Sequence, residues 1–144
     1  MSEYPAITEL VPHAAPMIAL EELVEWREGF ARARLVIRED DPFLRGGRVE
    51  SVVTLEYMAQ AVAACLGMES YRSGTSIRVG MIVACRELVL LRPSLALGEE
   101  LSVEAECVRG SDHTSHFETR VLDAVGKAVA RATLTLVHGV TPPG

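Results

Sequence analysis

The stretch from Ser51 to Met68 constrains this chain more than any other, because it reads as a helix that is apolar nearly all the way round. Between Val52 and Met68 the only side chain charged at neutral pH is Glu56. The other residues, rich in Leu, Met, Ala and Gln, favour helix by intrinsic propensity. An ordinary surface helix buries one stripe, whereas a rod apolar on every side must be covered on nearly every side. The helix stops either at Gly67 or in the polar run Ser70-Tyr71-Arg72-Ser73-Gly74. The pattern predicts one central helix, 51–68.

Its cover is legible in the flanking sequence. In 127–137, Lys127, Val129, Arg131, Thr133, Thr135 and Val137 alternate with Ala128, Ala130, Ala132, Leu134 and Leu136, the two-residue period of a half-buried strand. Similar runs at 100–109 and 115–124 are separated by Arg109-Gly110-Ser111-Asp112 and followed by Asp123-Ala124-Val125-Gly126, the residues that hairpin connections favour. A longer strand at 78–91 should stop at Arg92-Pro93, since proline cannot donate to a ladder. Ahead of the helix, strands at 17–26 and 30–38 meet at Arg27-Glu28-Gly29. Two strands, a helix and four strands predict an α+β fold: a curled antiparallel sheet of about six strands wrapped round one helix. With 144 residues, 49% of them hydrophobic, the chain should form a single domain over 1–144. A flexible tail is expected at 139–144, which ends Thr141-Pro142-Pro143-Gly144.

Composition narrows the function. A net charge of −6 argues against nucleic-acid or anionic-membrane partners, which need a positive field. No run of 18 consecutive apolar residues occurs, and Met-Ser-Glu-Tyr-Pro at the start lacks a basic flank, so a cytoplasmic location without a membrane partner is expected. Cys65, Cys85 and Cys107 form no CxxC pair and have no histidine at ligand spacing. Buried reduced thiols and no metal are therefore expected.

Glu56 is the focus for chemistry. Among Val52, Val53, Leu55, Met58, Ala59 and Val62 a carboxylate loses hydration and persists only with a partner or a task. Gln60 follows at i+4 on the same side of the helix. The alternative is that this polar stripe reaches solvent or makes a structural hydrogen bond.

At these residues the chain resembles a family. Leu55-Glu56-Tyr57-Met58-Ala59-Gln60-Ala61 is similar to the helix motif Leu-Glu-x-Met-Ala-Gln-Ala of the hotdog-fold 3-hydroxyacyl-acyl carrier protein dehydratases. Upstream, Leu10-Val11-Pro12-His13-Ala14-Ala15-Pro16-Met17 resembles their amino-terminal Leu-x-Pro-His-x-x-Pro-Phe/Met, and Asp41-Pro42-Phe43-Leu44-Arg45-Gly46 their approach to the active-site loop. The resemblance implies a lyase of fatty-acid-like or polyene synthesis. It would remove water from a 3-hydroxyacyl group carried on the phosphopantetheine of an acyl carrier protein, with no other cofactor. It also implies a dimer that joins two sheets into one, with sites between the subunits. Glu56 would be the acid, and the Ser51 or Val52 N–H at the helix start would hold the thioester carbonyl.

One position departs from that pattern. Relatives carry their catalytic histidine in a Gly-His-Phe-Pro-Gly loop, whereas this chain reads Gly46-Gly47-Arg48-Val49-Glu50, with Gly47 at the histidine position. In this it resembles a divergent subset similar to aryl-polyene-pathway dehydratases. His13 is the first candidate for a replacement base and His116 the second, while His113 and His138 read as a turn and a terminus. Arg48 is a candidate to bind a phosphate or carbonyl in the vacated loop. Three readings follow: a homodimeric dehydratase, a hotdog thioesterase using Glu56 toward water, and a non-catalytic subunit completing a heterodimer with a histidine-bearing dehydratase.

Overall fold

The computed structural model describes residues 4–11, 17–74, 81–111 and 113–137. A short helix α1 (Ile7–Leu10) precedes the hairpin β1 (Glu22–Arg27) and β2 (Phe30–Val36). A brief strand β3 (Arg48–Glu50) and a 3-10 turn (Ser51–Val53) lead into the long helix α2 (Thr54–Ser73). Then follow β4 (Met81–Leu90), β5 (Ser94–Ala96), β6 (Glu100–Gly110), β7 (Thr114–Leu122) and β8 (Ala128–Val137). Six strands form one antiparallel sheet in the order β1-β2-β6-β7-β8-β4, and β3 pairs with β5 alone. This is the hotdog arrangement, a sheet curled round one long helix.

The inward rows of the sheet meet the helix in one core. Ala31 lies opposite Ala105, Ala33 opposite Val103, and Val121 opposite Ala130. With Phe117 and Leu134, these buried side chains face Tyr57, Met58, Ala61, Val62 and Cys65 of α2. The helix runs through Gly67, which is glycine for a packing reason: a Cβ there would sit 2.1 Å from the Leu10 carbonyl oxygen of α1. It ends instead at Gly74, whose φ of +71° gives the left-handed cap that glycine adopts without strain. The five residues beyond Met68 continue the helix because Ser70 is still buried against the fold.

Differences from the sequence reading have local causes. The first strand starts at Glu22, not at 17, because the backbone of 17–20 bonds to a helix side chain and not to a strand. Strands β3 and β5 are three residues each, too short for a two-residue period to register, and α1 is a single turn. Of the three cysteines only Cys65 is buried, with burial pushing its thiol up to about 12. Cys107 is half-buried, and Cys85, on edge strand β4, is exposed. The expected tail at 139–144 lies outside the described residues.

The helix is not covered all round. Val52 is 50% exposed, and Leu55, Ala59, Ala63 and Leu66, spaced along one stripe, are only half-buried. Nearby elements leave Ile82, Leu88 and Leu90 of β4 exposed as well.

Candidate active site

The approach to α2 begins with a tight reversal. The Arg45 N–H donates to the Arg48 carbonyl at 2.8 Å and the Arg48 N–H to the Arg45 carbonyl at 3.1 Å. The two residues between, Gly46 and Gly47, have φ of +60° and +76°, as a two-residue hairpin turn with matched twist requires and as glycine permits. This turn stands where the related dehydratases carry their histidine loop. The chain then enters β3 and the first turn of the helix.

Glu56 and Gln60 do meet. Gln60 is fully buried, its Nε2 donating to Glu56 Oε1 at 3.1 Å and to the Met17 carbonyl at 2.6 Å. Its Oε1 accepts from the Ala19 N–H at 2.9 Å and the Leu20 N–H at 3.4 Å. Both donors and both lone pairs of the amide are thereby used. Gln60, expected to bind substrate, ties segment 17–20 to the helix and bonds the Glu56 carboxylate. Glu56 is half-buried in the wall of a cavity of about 220 Å³, enclosed by Met17–Glu21, the turn Asp40–Phe43 and Tyr57.

Of the two amides expected to hold a carbonyl, that of Ser51 is already committed, donating to the Pro93 carbonyl at 3.0 Å. Val52 remains, in the first turn where helix geometry leaves N–H groups without intrahelical acceptors. Arg48 does not line the Glu56 cavity. It lines an adjoining one of about 300 Å³ with Phe43, Arg45, Glu50, Val53 and Ser94, and Phe43 is common to both. Two hydroxyls here escaped sequence reasoning: Ser51 Oγ and Tyr57 OH are buried without a hydrogen-bond partner among the described residues. Burial, with the Asp41 charge adding to it, pushes the Tyr57 phenol upward, so it stays protonated. No sequence signal distinguishes such a hydroxyl from a bonded one.

His13 and His138 lie outside the described residues. His113 is exposed next to the β6–β7 turn. His116 is on β7 between the buried Ser115 and Phe117, so alternation puts it on the face of the sheet away from α2, where its Nδ1 lies 2.9 Å from Thr135 Oγ1. It is thus not placed to serve Glu56 of its own chain.

A hotdog sheet whose helix presents a glutamate in the wall of a cavity defines a hotdog-fold protein with a carboxylate site. Within that class the chain belongs to the ApeP-like family, ApeP dehydratase, whose model matches residues 5–141. Membership makes it a dehydratase-family chain, as the helix motif implied. No curated protein matches the sequence as a relative. Among solved structures, the dehydratase heterocomplex ApeI:P from Xenorhabdus doucetiae matches with a TM-score of 0.88 at 20% identity, covering 94% of this chain and 92% of that one. A hypothetical thioesterase with coenzyme A from Streptococcus pneumoniae matches at 0.66 and 15%, covering 81% and 84%. The PaaI protein of the E. coli phenylacetic acid degradation operon matches at 0.65 and 17%, covering 81% of each. At these identities the structures establish the shared fold.

Proposed function

We propose that this chain acts in the dehydration of 3-hydroxyacyl thioesters borne on an acyl carrier protein, as one subunit of a pair of hotdog chains. The observation that carries this reading is Glu56, held by Gln60 on the wall of a cavity at the start of α2 in a chain of the ApeP-like dehydratase family. In the reaction a base removes the α-proton, the Val52 N–H at the positive end of the helix takes the developing enolate oxygen, and the Cβ–O bond breaks as Glu56 delivers a proton to the departing hydroxyl. The products are the enoyl thioester and water. No metal or nucleotide takes part.

The base comes from His13 or from the partner subunit, because Gly47 occupies the usual histidine position and no histidine among the described residues lines the Glu56 cavity. The pairing surface is β4 and the half-covered stripe of α2. An edge strand with Ile82, Leu88 and Leu90 exposed invites a further strand. The ApeI:P structure is itself a heterocomplex, which favours a partner bearing its own histidine.

Two experiments test this. Incubating the purified chain with 3-hydroxyacyl and saturated acyl carrier proteins separates the readings. Loss of water that vanishes in His13→Ala marks a self-sufficient enzyme, release of free thiol marks a thioesterase, and neither marks a chain that requires its partner. Sedimentation of the purified chain should show a homodimer that Ile82→Asp with Leu88→Asp converts to monomer; a wild-type monomer at micromolar concentration would remove self-pairing and leave only a heterodimer.

A further inference from the structure

The cavity beside the Glu56 site is walled by two arginines in a chain of formal charge −6. Arg27, Arg32, Arg34, Arg38, Arg92 and Arg120 each pair with a glutamate. Among the described residues, Arg45 and Arg48 have no such partner and are held by neutral oxygens instead. Arg45 Nη1 donates to the carbonyls of Pro42 at 3.1 Å and Leu44 at 2.7 Å. Arg48 Nε donates to Ser94 Oγ at 2.5 Å. Each guanidinium is therefore oriented while most of its N–H donors stay free, and Ser94, having accepted one bond, keeps its own O–H to donate. Glu50 shares the cavity and forms an ion pair with neither arginine, so the lining retains a net positive charge.

Planar guanidinium forks beside a hydroxyl donor suit the oxygens of a phosphate. The position matters as much as the chemistry. Phe43 lines both this cavity and that of Glu56. Val53 borders the first and Glu56 the second, and residues three apart on a helix are neighbours, about 5–6 Å between Cβ atoms. An elongated ligand filling both cavities would pass the Phe43 ring.

We propose that Arg45, Arg48 and Ser94 form a phosphate subsite for a phosphopantetheine arm whose thioester end reaches Glu56. This rests on the thioester reading above and deepens it by assigning where the arm's phosphate is held. Coenzyme A and a carrier protein both present that group, and the test distinguishes them.

Calorimetric titration of the full chain with phosphopantetheine and with pantetheine, which lacks the phosphate, reads the subsite without needing turnover. Phosphopantetheine should bind wild type about tenfold more tightly, the scale of one charge-assisted hydrogen bond. Arg45→Ala with Arg48→Ala should erase that advantage, so that phosphopantetheine binds the variant no more tightly than pantetheine does. Should the double variant misfold, Arg48→Gln alone carries the test. With acylated coenzyme A and acylated carrier protein, the double variant should raise KM about tenfold for both and leave kcat alone. Equal binding of the two pantetheines by wild type overturns the proposal. So does a KM effect confined to the carrier protein, which would mark a protein-docking surface. If phosphate-dependent binding is intact but no substrate loses water, the dehydration reading fails and the subsite stands.

Discussion

The outer face of the sheet and the first turns of α2 treat polar groups in opposite ways. On the outer face, Glu104 is 4% exposed and accepts from Arg32 Nε at 2.7 Å and Arg120 Nε at 2.5 Å, while Arg34 bonds Glu22 and Arg32 bonds Glu25. The hollow on that face, about 720 Å³, is lined by Glu104 and Arg120 of this network together with Glu87, Glu106, Glu118 and Arg131, so its lining is acidic. At the helix start, among the described residues, two buried hydroxyls lack partners and two guanidiniums lack carboxylates. A buried hydroxyl without a partner costs about 1–3 kcal/mol, whereas the two guanidiniums are solvent-exposed and keep their remaining N–H donors for water or a ligand. The saturated region holds the sheet together; the unsaturated one has capacity left for a ligand.

Breaking the helix-start region should show in turnover before stability. Glu56→Gln keeps shape and hydrogen bonding but has no proton to deliver, so dehydration should fall by about 10²–10⁴-fold, the usual contribution of a positioned acid. Thermal melting should change little; full turnover in this variant would make Glu56 structural and dissolve the contrast.

Gln60→Ala tests the one saturated element within that region. It orphans the Ala19 N–H and the Met17 carbonyl, and it frees segment 17–20 from the helix. A loss of about 2–3 kcal/mol in denaturant unfolding is expected, accompanied by lower activity because Glu56 loses its orientation. Unchanged stability would mean that segment 17–20 is held by other contacts.

Glu104→Gln probes the other side. Burial works to raise this carboxyl, but the hydrogen bonds and charges of Arg32 and Arg120 outweigh it and hold it below the ordinary 4.5. A depressed folded value means the group stabilises fully above its unfolded pKa and that this contribution is lost as pH falls through the folded value. The variant should be about 2 kcal/mol less stable at pH 7, less than for a fully buried pair because both arginines are partly exposed. The gap from wild type should narrow as pH falls below the unfolded carboxyl value and close only below the depressed folded one. Activity should be untouched, and a gap independent of pH would refute the ionic account.

The smallest effect is expected from Tyr57→Phe. Removing a buried hydroxyl that has no partner should leave stability unchanged or raise it by up to about 1 kcal/mol. A clear destabilisation in thermal melting would show that the hydroxyl has a partner, an ordered water included.

By itself the sequence determined the architecture, because periodicity is a local property. The apolar run beginning at Ser51 demanded enclosure, and the alternation in 100–109, 115–124 and 127–137 supplied the strands to provide it. It also singled out Glu56, since one carboxylate among apolar neighbours is conspicuous without any coordinates. What tertiary structure decided were contacts between residues far apart in the chain. Gln60 reaches back 43 positions to Met17 and bonds Glu56 on its own helix. The Ser51 amide is taken by Pro93, leaving Val52. Gly67, a plausible helix stop by composition, is an interior glycine because Leu10 lies against it. Pairings of that kind depend on which surfaces the folded chain brings together, and neither propensity nor spacing encodes them.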